Sequence, residues 1–345
     1  MIKQLFILLL FVIRGFVMMA QDASAATPFI EKGIQLDSAK QYKKAIKEYG
    51  RAIKADAANA LGFNRRGYSY YVLQKYTEAL VDLNKAVALN STFAEAYYNR
   101  ALVKIAQKDP TSKDDLNQAL ELNPKYAEAF CKRCFVKNQL KDYKGAIDDC
   151  DFATDFDYKN PEANAQRGIA KLHLKYYESA LQDFDRAVAG DTTKPDYYYQ
   201  RALTKTQMSN FTGAVTDFDK AVVLDVANPD YYIERAAAKI EADDFKGAIT
   251  DCDLALDINS RNPRAYNIRG VAKSESGDYD GGIEDLSKAL KINFNYHEAY
   301  VNRAAAKFAK GDKYGACSDL NKAESLGSNI AYQIIDKYCN DVKNK

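Results

Sequence analysis

The sequence predicts an all-α solenoid, a row of stacked helix-turn-helix units, and three observations predict it. Pro195–Asn228 (PDYYYQRALTKTQMSNFTGAVTDFDKAVVLDVAN) is followed at Pro229, and again at Pro263, by the same text with substitutions, a fixed period of 34 residues. Alanine returns at the twenty-seventh position of nine successive repeats, from Ala52, Ala86 and Ala119 through to Ala323. Asn160-Pro161, Asn228-Pro229 and Asn262-Pro263 each place an N-cap before a proline suited to the first helical position. Self-similarity at such a period marks an array of supersecondary units, which lengthens without needing a larger single core.

Composition agrees. The 345 residues are 28% charged and 47% hydrophobic, enough to fold. Lys and Arg total 49 against 47 Asp and Glu; without Lys3 and Arg14 of the first twenty residues the balance is 47 to 47. A neutral chain lacks the basic excess that a phosphate backbone attracts, so no nucleic acid is expected as a partner.

In chain order, residues 1–25 come first. Lys3, the apolar run Leu5–Ile13 and the small residues Ala23-Ser24-Ala25 have the charged start, short core and exit of a secretory signal peptide, with cleavage after Ala20 or Ala25. The run is too short to cross a bilayer comfortably, and the alternative is an uncleaved N-terminal anchor. Either places the rest outside the cytoplasm, periplasmic or secreted, with a mature chain that does not span the membrane.

Residues 26–328 hold the nine repeats, starting at Ala26, Ala60, Ala94, Ala127, Pro161, Pro195, Pro229, Pro263 and His297. The first helix of each carries an aromatic at position 4, as in Phe63, Tyr97 and Tyr198, with Asn164 the exception, and a small residue at position 8. Small residues return at positions 20 and 27, letting paired helices approach while the aromatics fill the space beside them. An aromatic at position 17, such as Tyr76, Tyr143 or Phe211, opens the second helix. The third repeat has lost one residue and this aromatic and gained Pro110, which is expected in the first turn of its second helix. Past Ser328 the period stops, and Ile330, Ile334, Ile335, Tyr338 and Val342 form an apolar stripe. Residues 329–345 therefore read as a capping helix covering the last repeat.

This pattern of aromatic, small and alanine positions resembles the tetratricopeptide repeat (TPR) family over residues 26 to about 328. The resemblance implies a right-handed superhelix of roughly one turn, with first helices lining a concave groove and second helices outside. It also implies that positions 2, 5, 9, 12 and 13 face the groove. These include Asn64, Tyr68, Tyr71, Tyr98, Leu102, Ile105, Phe135, Asn138, Tyr199 and Leu203, offered as a partner-binding set; the alternative is that a tyrosine-rich composition simply spills onto the surface. Tyr71 and Tyr98 are expected to stand apart from the helix-packing set. The Lys and Asn pair by which chaperone-binding members clamp a carboxylate is missing.

One departure from the family pattern is systematic. Position 7 is arginine and position 23 aspartate in eight repeats, as in Arg201 with Asp217, Arg235 with Asp251 and Arg269 with Asp285; the first repeat has Lys32 and Glu48. A ladder for acidic ligands is one reading. Matched acids favour the other, a row of structural ion pairs between helices.

Catalytic chemistry finds no footing. Cys131 and Cys134 form a CxxC without the second pair that zinc needs, His173 and His297 lie in different repeats, and neither a phosphate loop nor GxSxG occurs. No enzyme, cofactor or metal is expected. Buried free thiols are the default for the six cysteines; Cys134 with Cys150 is placed for a disulfide after export, and Cys317 with Cys339 forms a weaker pair. The leading expectation is an exported, non-catalytic scaffold binding a protein or peptide in its groove. The alternatives are an envelope protein binding a small molecule or glycan, and a structural spacer in an envelope complex.

Overall fold

The computed structural model describes residues 25–339, and among these every regular element is a helix. They divide between Ala170 and Lys171 into two compact parts. The first holds α1 (25–38), α2 (Tyr42–Ala55), α3 (Ala60–Val72), α4 (Tyr76–Leu89), α5 (Ala94–Ala106), α6 (Ser112–Leu122), α7 (Ala127–Gln139) and α8 (Tyr143–Phe156), and α9 (Pro161–His173) runs across the division. The second holds α10 (Tyr177–Gly190), α11 (Pro195–Gln207), α12 (Phe211–Leu224), α13 (Pro229–Ile240), α14 (Phe245–Ile258), α15 (Pro263–Glu275), α16 (Tyr279–Ile292), α17 (His297–Lys310), α18 (Lys313–Ser325) and α19 (Asn329–Tyr338). The leader expected at 1–25 lies outside the described residues except for its last residue, which opens α1.

The hairpin turn is built the same way throughout. Position 15 is left-handed in every repeat, from Lys40 (φ 56°) and Gln74 (φ 59°) to Gly277 and Gly311 (φ 93° and 92°). The next residue caps the second helix: Asp142, Asn210, Asp244, Asp278 and Asp312 each accept from the backbone N–H of a glycine three residues on. That glycine is required by the approach itself, since a Cβ on Gly247 would stand 2.1 Å from the Asp244 carboxylate. The other caps also form: Asn160, Asn228 and Asn262 accept from the N–H groups of Ala163, Asp230 and Arg264.

Consecutive helices pack on one another, α3 on α4 and α4 on α5 in the first part, α11 on α12 and α12 on α13 in the second. Contact is close because position 8 is small and faces position 24, a fully buried filler: Tyr49, Leu83, Leu116, Phe184, Phe218, Leu286 and Leu320. A Cβ on Gly67 would lie 2.7 Å from Leu83 Cγ. In the fourth repeat these two positions are Cys134 and Cys150, 5.5 Å apart at Cα and joined as a disulfide. The helix-pair contact itself brings the two sulfurs together. Cys317 and Cys339 are joined as well, so for these four residues the expected free thiols are corrected; Cys131 and Cys252 stay free and buried.

Two further expectations are corrected. Pro110 precedes α6 instead of lying in its first turn, because the deleted residue delays the helix to Ser112. The cap α19 docks through Ala331, Ile335 and Cys339, with Ile334 partly buried beside Phe308 and Val301. Ile330 is 63% exposed and Tyr338 49% exposed, while the face that carries Ala331, Ile335 and the bonded Cys339 turns inward; Val342 lies outside the described residues.

Candidate functional site

Two sets of side chains recur along the first helices. The first is the ion ladder. Arg201 donates from Nε and Nη2 to both oxygens of Asp217 (2.9 and 2.6 Å), and Arg235 with Asp251 and Arg269 with Asp285 repeat the fork. Each guanidinium lies over the ring at position 4 of its own helix, Arg269 5.3 Å from the Tyr266 centroid. Its remaining Nη1 reaches position 25 of the preceding repeat, linking Arg201 to Asp185, Arg235 to Asp219 and Arg269 to Asp253. A lysine at position 11 completes the cluster: Lys205, Lys239 and Lys273 lie 2.7 to 2.9 Å from the same three carboxylates. The aspartates are buried and their donors are engaged, so the ladder is a set of structural staples with little charge left for a ligand. Sequence reasoning identified positions 7 and 23 and missed 11 and 25. Lys at 11 recurs with the period and was the available signal.

In the fifth repeat Asn164 stands in place of the ring, fully buried, and Arg167 Nη2 donates to its carbonyl oxygen at 3.2 Å. The arginine thus keeps a neighbour at position 4 by hydrogen bond where the others have a π face.

The second set is the first-helix face. In residues 25–170 the rings of Tyr68, Tyr71 and Tyr76 follow one another at 6.1 and 6.3 Å, and Tyr98 packs on Tyr126 at 4.8 Å. Lys132 lies against Glu162 (2.5 Å) and Arg65 against Glu95 (3.4 Å), each pair joining successive first helices. Burial raises the Tyr71 phenol, which Lys132 of the fourth repeat pulls down and Glu162 of the fifth pushes up. Burial likewise raises Tyr68 and Tyr98. All three present neutral hydroxyls at physiological pH, with large apolar bodies beside them. Ile105 and Phe135 are partly buried and line a cleft of about 400 Å³.

Other members of the expected set lie deeper. Asn64 is fully buried, with Oδ1 accepting from Asn99 Nδ2 at 3.0 Å. Position 5 sits where the next first helix crosses, and that helix covers it. Leu102 and Asn138 are 8% and 7% exposed, and Asn138 donates to the Gln166 backbone at 2.8 Å. Tyr71 and Tyr98 also belong to packing, flanking buried clusters that include Leu83 and Leu116, which corrects the expectation that they stand apart from it. In residues 171–339 Tyr199 lies between Phe218 and Tyr231, its phenol pushed up to about 12 by burial, and Leu203 is partly buried beside Ala202 and Phe218. Burial pushes the Cys131 and Cys252 thiols up to about 12, leaving them protonated and unreactive.

The chain was compared with known proteins. Family models described as TPR repeat and tetratricopeptide repeat match residues 67–108 and 263–296. RNA polymerase II-associated protein 3 of Xenopus tropicalis is 39% identical over 79 residues, covering 23% of this chain and 12% of that protein. Protein STIP1 homolog of Dictyostelium discoideum is 31% identical over 97 residues, 28% of this chain and 17% of that one. The match thus spans less than a fifth of either relative. Among solved structures, a tetratricopeptide repeat protein from Parabacteroides merdae superposes with a TM-score of 0.56 at 19% identity, over 72% of this chain and 99% of its own.

Proposed function

From the premise that this chain is a tetratricopeptide repeat protein, a fold that generally serves as a binding scaffold, we propose that it is an exported, non-catalytic scaffold. It holds a protein or peptide segment on the first-helix face of residues 25–170. The observation that carries this reading is the run of neighbouring rings Tyr68, Tyr71 and Tyr76, with the charges of Lys132 and Glu162 acting on the Tyr71 hydroxyl and that of Glu162 on Tyr98. Partly buried aromatics with a polar tip and a preset orientation are the common anchors of recognition surfaces. At position 9, where the second repeat has Tyr68 and the fourth Phe135, the last three repeats have Ala237, Val271 and Ala305, which offer less apolar area to a partner.

Export is supported by the leader-like residues 1–25 and by two disulfides, which persist in oxidising compartments. Ala26 is fully buried within α1, and a free amino group created there would oppose the helix dipole; cleavage after Ala20 avoids this. No helix among the described residues is long and apolar enough to cross a membrane.

The test uses the mature chain purified from the exporting cell. N-terminal sequencing should begin at Gln21, and an intact Met1 in a cytosolic fraction would remove export. A partner recovered by affinity capture should lose about tenfold in affinity with Tyr71→Ala, a typical hot-spot loss. Unchanged affinity, with loss instead on substitution of exposed second-helix residues such as Val81 or Val223, would favour a spacer. Retention on polysaccharide with no protein captured would favour the glycan reading.

A further inference from the structure

The third repeat leaves open a space that its neighbours fill. In each repeat the left-handed residue marks the register of the turn: Gln74, Lys108 and Lys141 (φ 59°, 58° and 62°). Counting from there, Tyr76 and Tyr143 are the aromatics at position 17, and Ala79 and Ala146 the buried small residues at position 20. Tyr76 lies 6.3 Å from the Tyr71 ring of its own repeat's first helix and packs against the buried cluster of Ala79, Leu83 and Val103. Tyr143 packs against Ala146 and against Ala170 of the following helix. In the third repeat two residues, Pro110 and Thr111, stand where the second and fourth have three, and the register resumes at buried Ser112.

Position 17 contributes no ring to the corresponding space, and the Phe135 ring stands on its wall. The space is the cleft of about 400 Å³ already noted, lined by Ile105, Pro110, Ser112, Phe135, Val136 and Leu140. Ile105 corresponds to Tyr71, Ser112 to Ala79 and Val136 to Val103, so its walls are those that elsewhere hold a tyrosine. Leu140 is half-exposed at its mouth. The rim is charged unevenly. Asp109 turns its carboxylate back onto the Thr111 N–H at 2.8 Å, while Lys108 lines the opening with no acidic partner among the described residues. Ile105 and Phe135 also belong to the proposed binding face, so cleft and face are continuous.

We propose that this cleft is an anchor socket taking an aromatic side chain of the partner segment, seated as Tyr76 and Tyr143 are seated in the adjacent repeats, with an acidic residue beside the ring facing Lys108. The inference rests on the proposed binding role and names the chemistry of what is bound. The chain's own packing suggests the occupant: the same positions hold a ring in both adjacent repeats, and covering an apolar socket with a ring removes more surface from water than a smaller side chain would. An acidic neighbour placed at Lys108 meets the one rim charge that has no opposite partner among the described residues, while Asp109 is held back on the backbone.

The test needs no knowledge of the partner. Acetylated Asp-Tyr amide is titrated into the mature chain, and the methyl resonances of Ile105, Val136 and Leu140 are followed by NMR. A saturable shift confined to these methyls is expected, with a dissociation constant of about 1 mM, the range for so small a fragment. Asp-Ala should give no shift, and Lys-Tyr should bind more weakly. Pro110→Tyr, which returns a ring to the position, should weaken Asp-Tyr at least tenfold while the other methyls keep their places; Lys108→Glu should reverse the preference between Asp-Tyr and Lys-Tyr. The socket is overturned if Asp-Tyr leaves these methyls unmoved, if Asp-Ala moves them equally, or if Pro110→Tyr binds as well as the parent. Shifts that track protein concentration without fragment would assign the cleft to a second copy and likewise overturn the proposal. A chain that ignores Asp-Tyr but loses its captured partner with Tyr71→Ala would sink the socket and leave the binding face standing.

Discussion

At the scale of single residues, Asp217 accepts from two cations, and that changes what its removal does. Arg201→Ala leaves Lys205 2.7 Å from the carboxylate, so the acid keeps a partner and the loss should be about 1–3 kcal/mol. Asp217→Ala strips both cations of their shared acceptor and should cost more, about 3–5 kcal/mol. A double-mutant cycle by urea denaturation separates these, and additive effects would mean that the two side chains do not interact. The pH dependence carries the same logic. Burial would raise the Asp285 carboxyl, but bonds from Arg269 and Lys273 outweigh it and hold it below its ordinary value. Its contribution to stability is therefore complete above about pH 4, where the unfolded group ionises, and is lost as pH falls through the lower folded value. Asp37 runs the other way: burial raises it against the bonds from Tyr49 and Ser69, so its contribution is complete below the unfolded value and is lost as pH rises through the folded one. A carboxyl titration by NMR should find Asp285 below, and Asp37 above, the ordinary aspartate value. The Arg and Asp columns were legible because both recur every 34 residues. The third bond, to position 25, was not, because it depends on how far one repeat is offset from the next. Asn64 misled for the same reason: whether position 5 sees solvent is decided by the crossing helix, here through Asn99.

At the scale of elements, the helix boundaries were readable from caps, alanines and small residues, since each states a local requirement. What the sequence left open was how the altered turn at Pro110 and the last helix settle, because both depend on non-local contacts. The cap makes the point. The sequence showed an apolar stripe, and the structure buries Ala331 and Ile335, on the face that also carries the bonded Cys339, while Ile330 faces outward. The bond closes a loop of sequence separation 22, a constraint of about 3 kcal/mol in the chain-entropy account. Cys339→Ser should therefore speed amide exchange across α19 by roughly two orders of magnitude, while α11 to α14 exchange as before. Equal exchange in both proteins would show that packing alone secures the cap. A second element-scale outcome concerns α15 and α16. A Cβ on Gly282 would stand 2.8 Å from the Gly270 carbonyl oxygen and 2.1 Å from Ser274 Oγ. Gly282→Ala should push the pair apart and lower stability by about 1–3 kcal/mol, measured by thermal melting.

At the scale of the molecule, the chain folds as repeats that contact their neighbours, so stability is a sum of local terms and not one cooperative quantity. Tyr98 shows how binding and stability overlap. Its ring lies on Tyr126 and beside Leu116, so Tyr98→Ala should lower the melting temperature as well as partner affinity. Tyr98→Phe separates the two effects: it keeps the ring and should restore the melting temperature, and any remaining loss of affinity belongs to the hydroxyl. If Tyr98→Ala melts like the parent, the ring is held only at the surface.

The ladder also says how such a chain can be inherited. The sixth repeat brings Arg201, Lys205, Asp217 and Asp219, two charges of each sign, and the seventh brings Arg235, Lys239, Asp251 and Asp253. The fifth, sixth and seventh repeats each offer one carboxylate forward and take one from behind, whereas Asn84, Asn117 and Ser287 fill that place in the second, third and eighth. A tandem duplication of such a 34-residue repeat therefore adds a copy whose every ladder charge finds its opposite, whereas gain or loss of half that length would bury carboxylates with nothing to face. Length is free to vary in whole repeats without leaving a ladder charge unmatched.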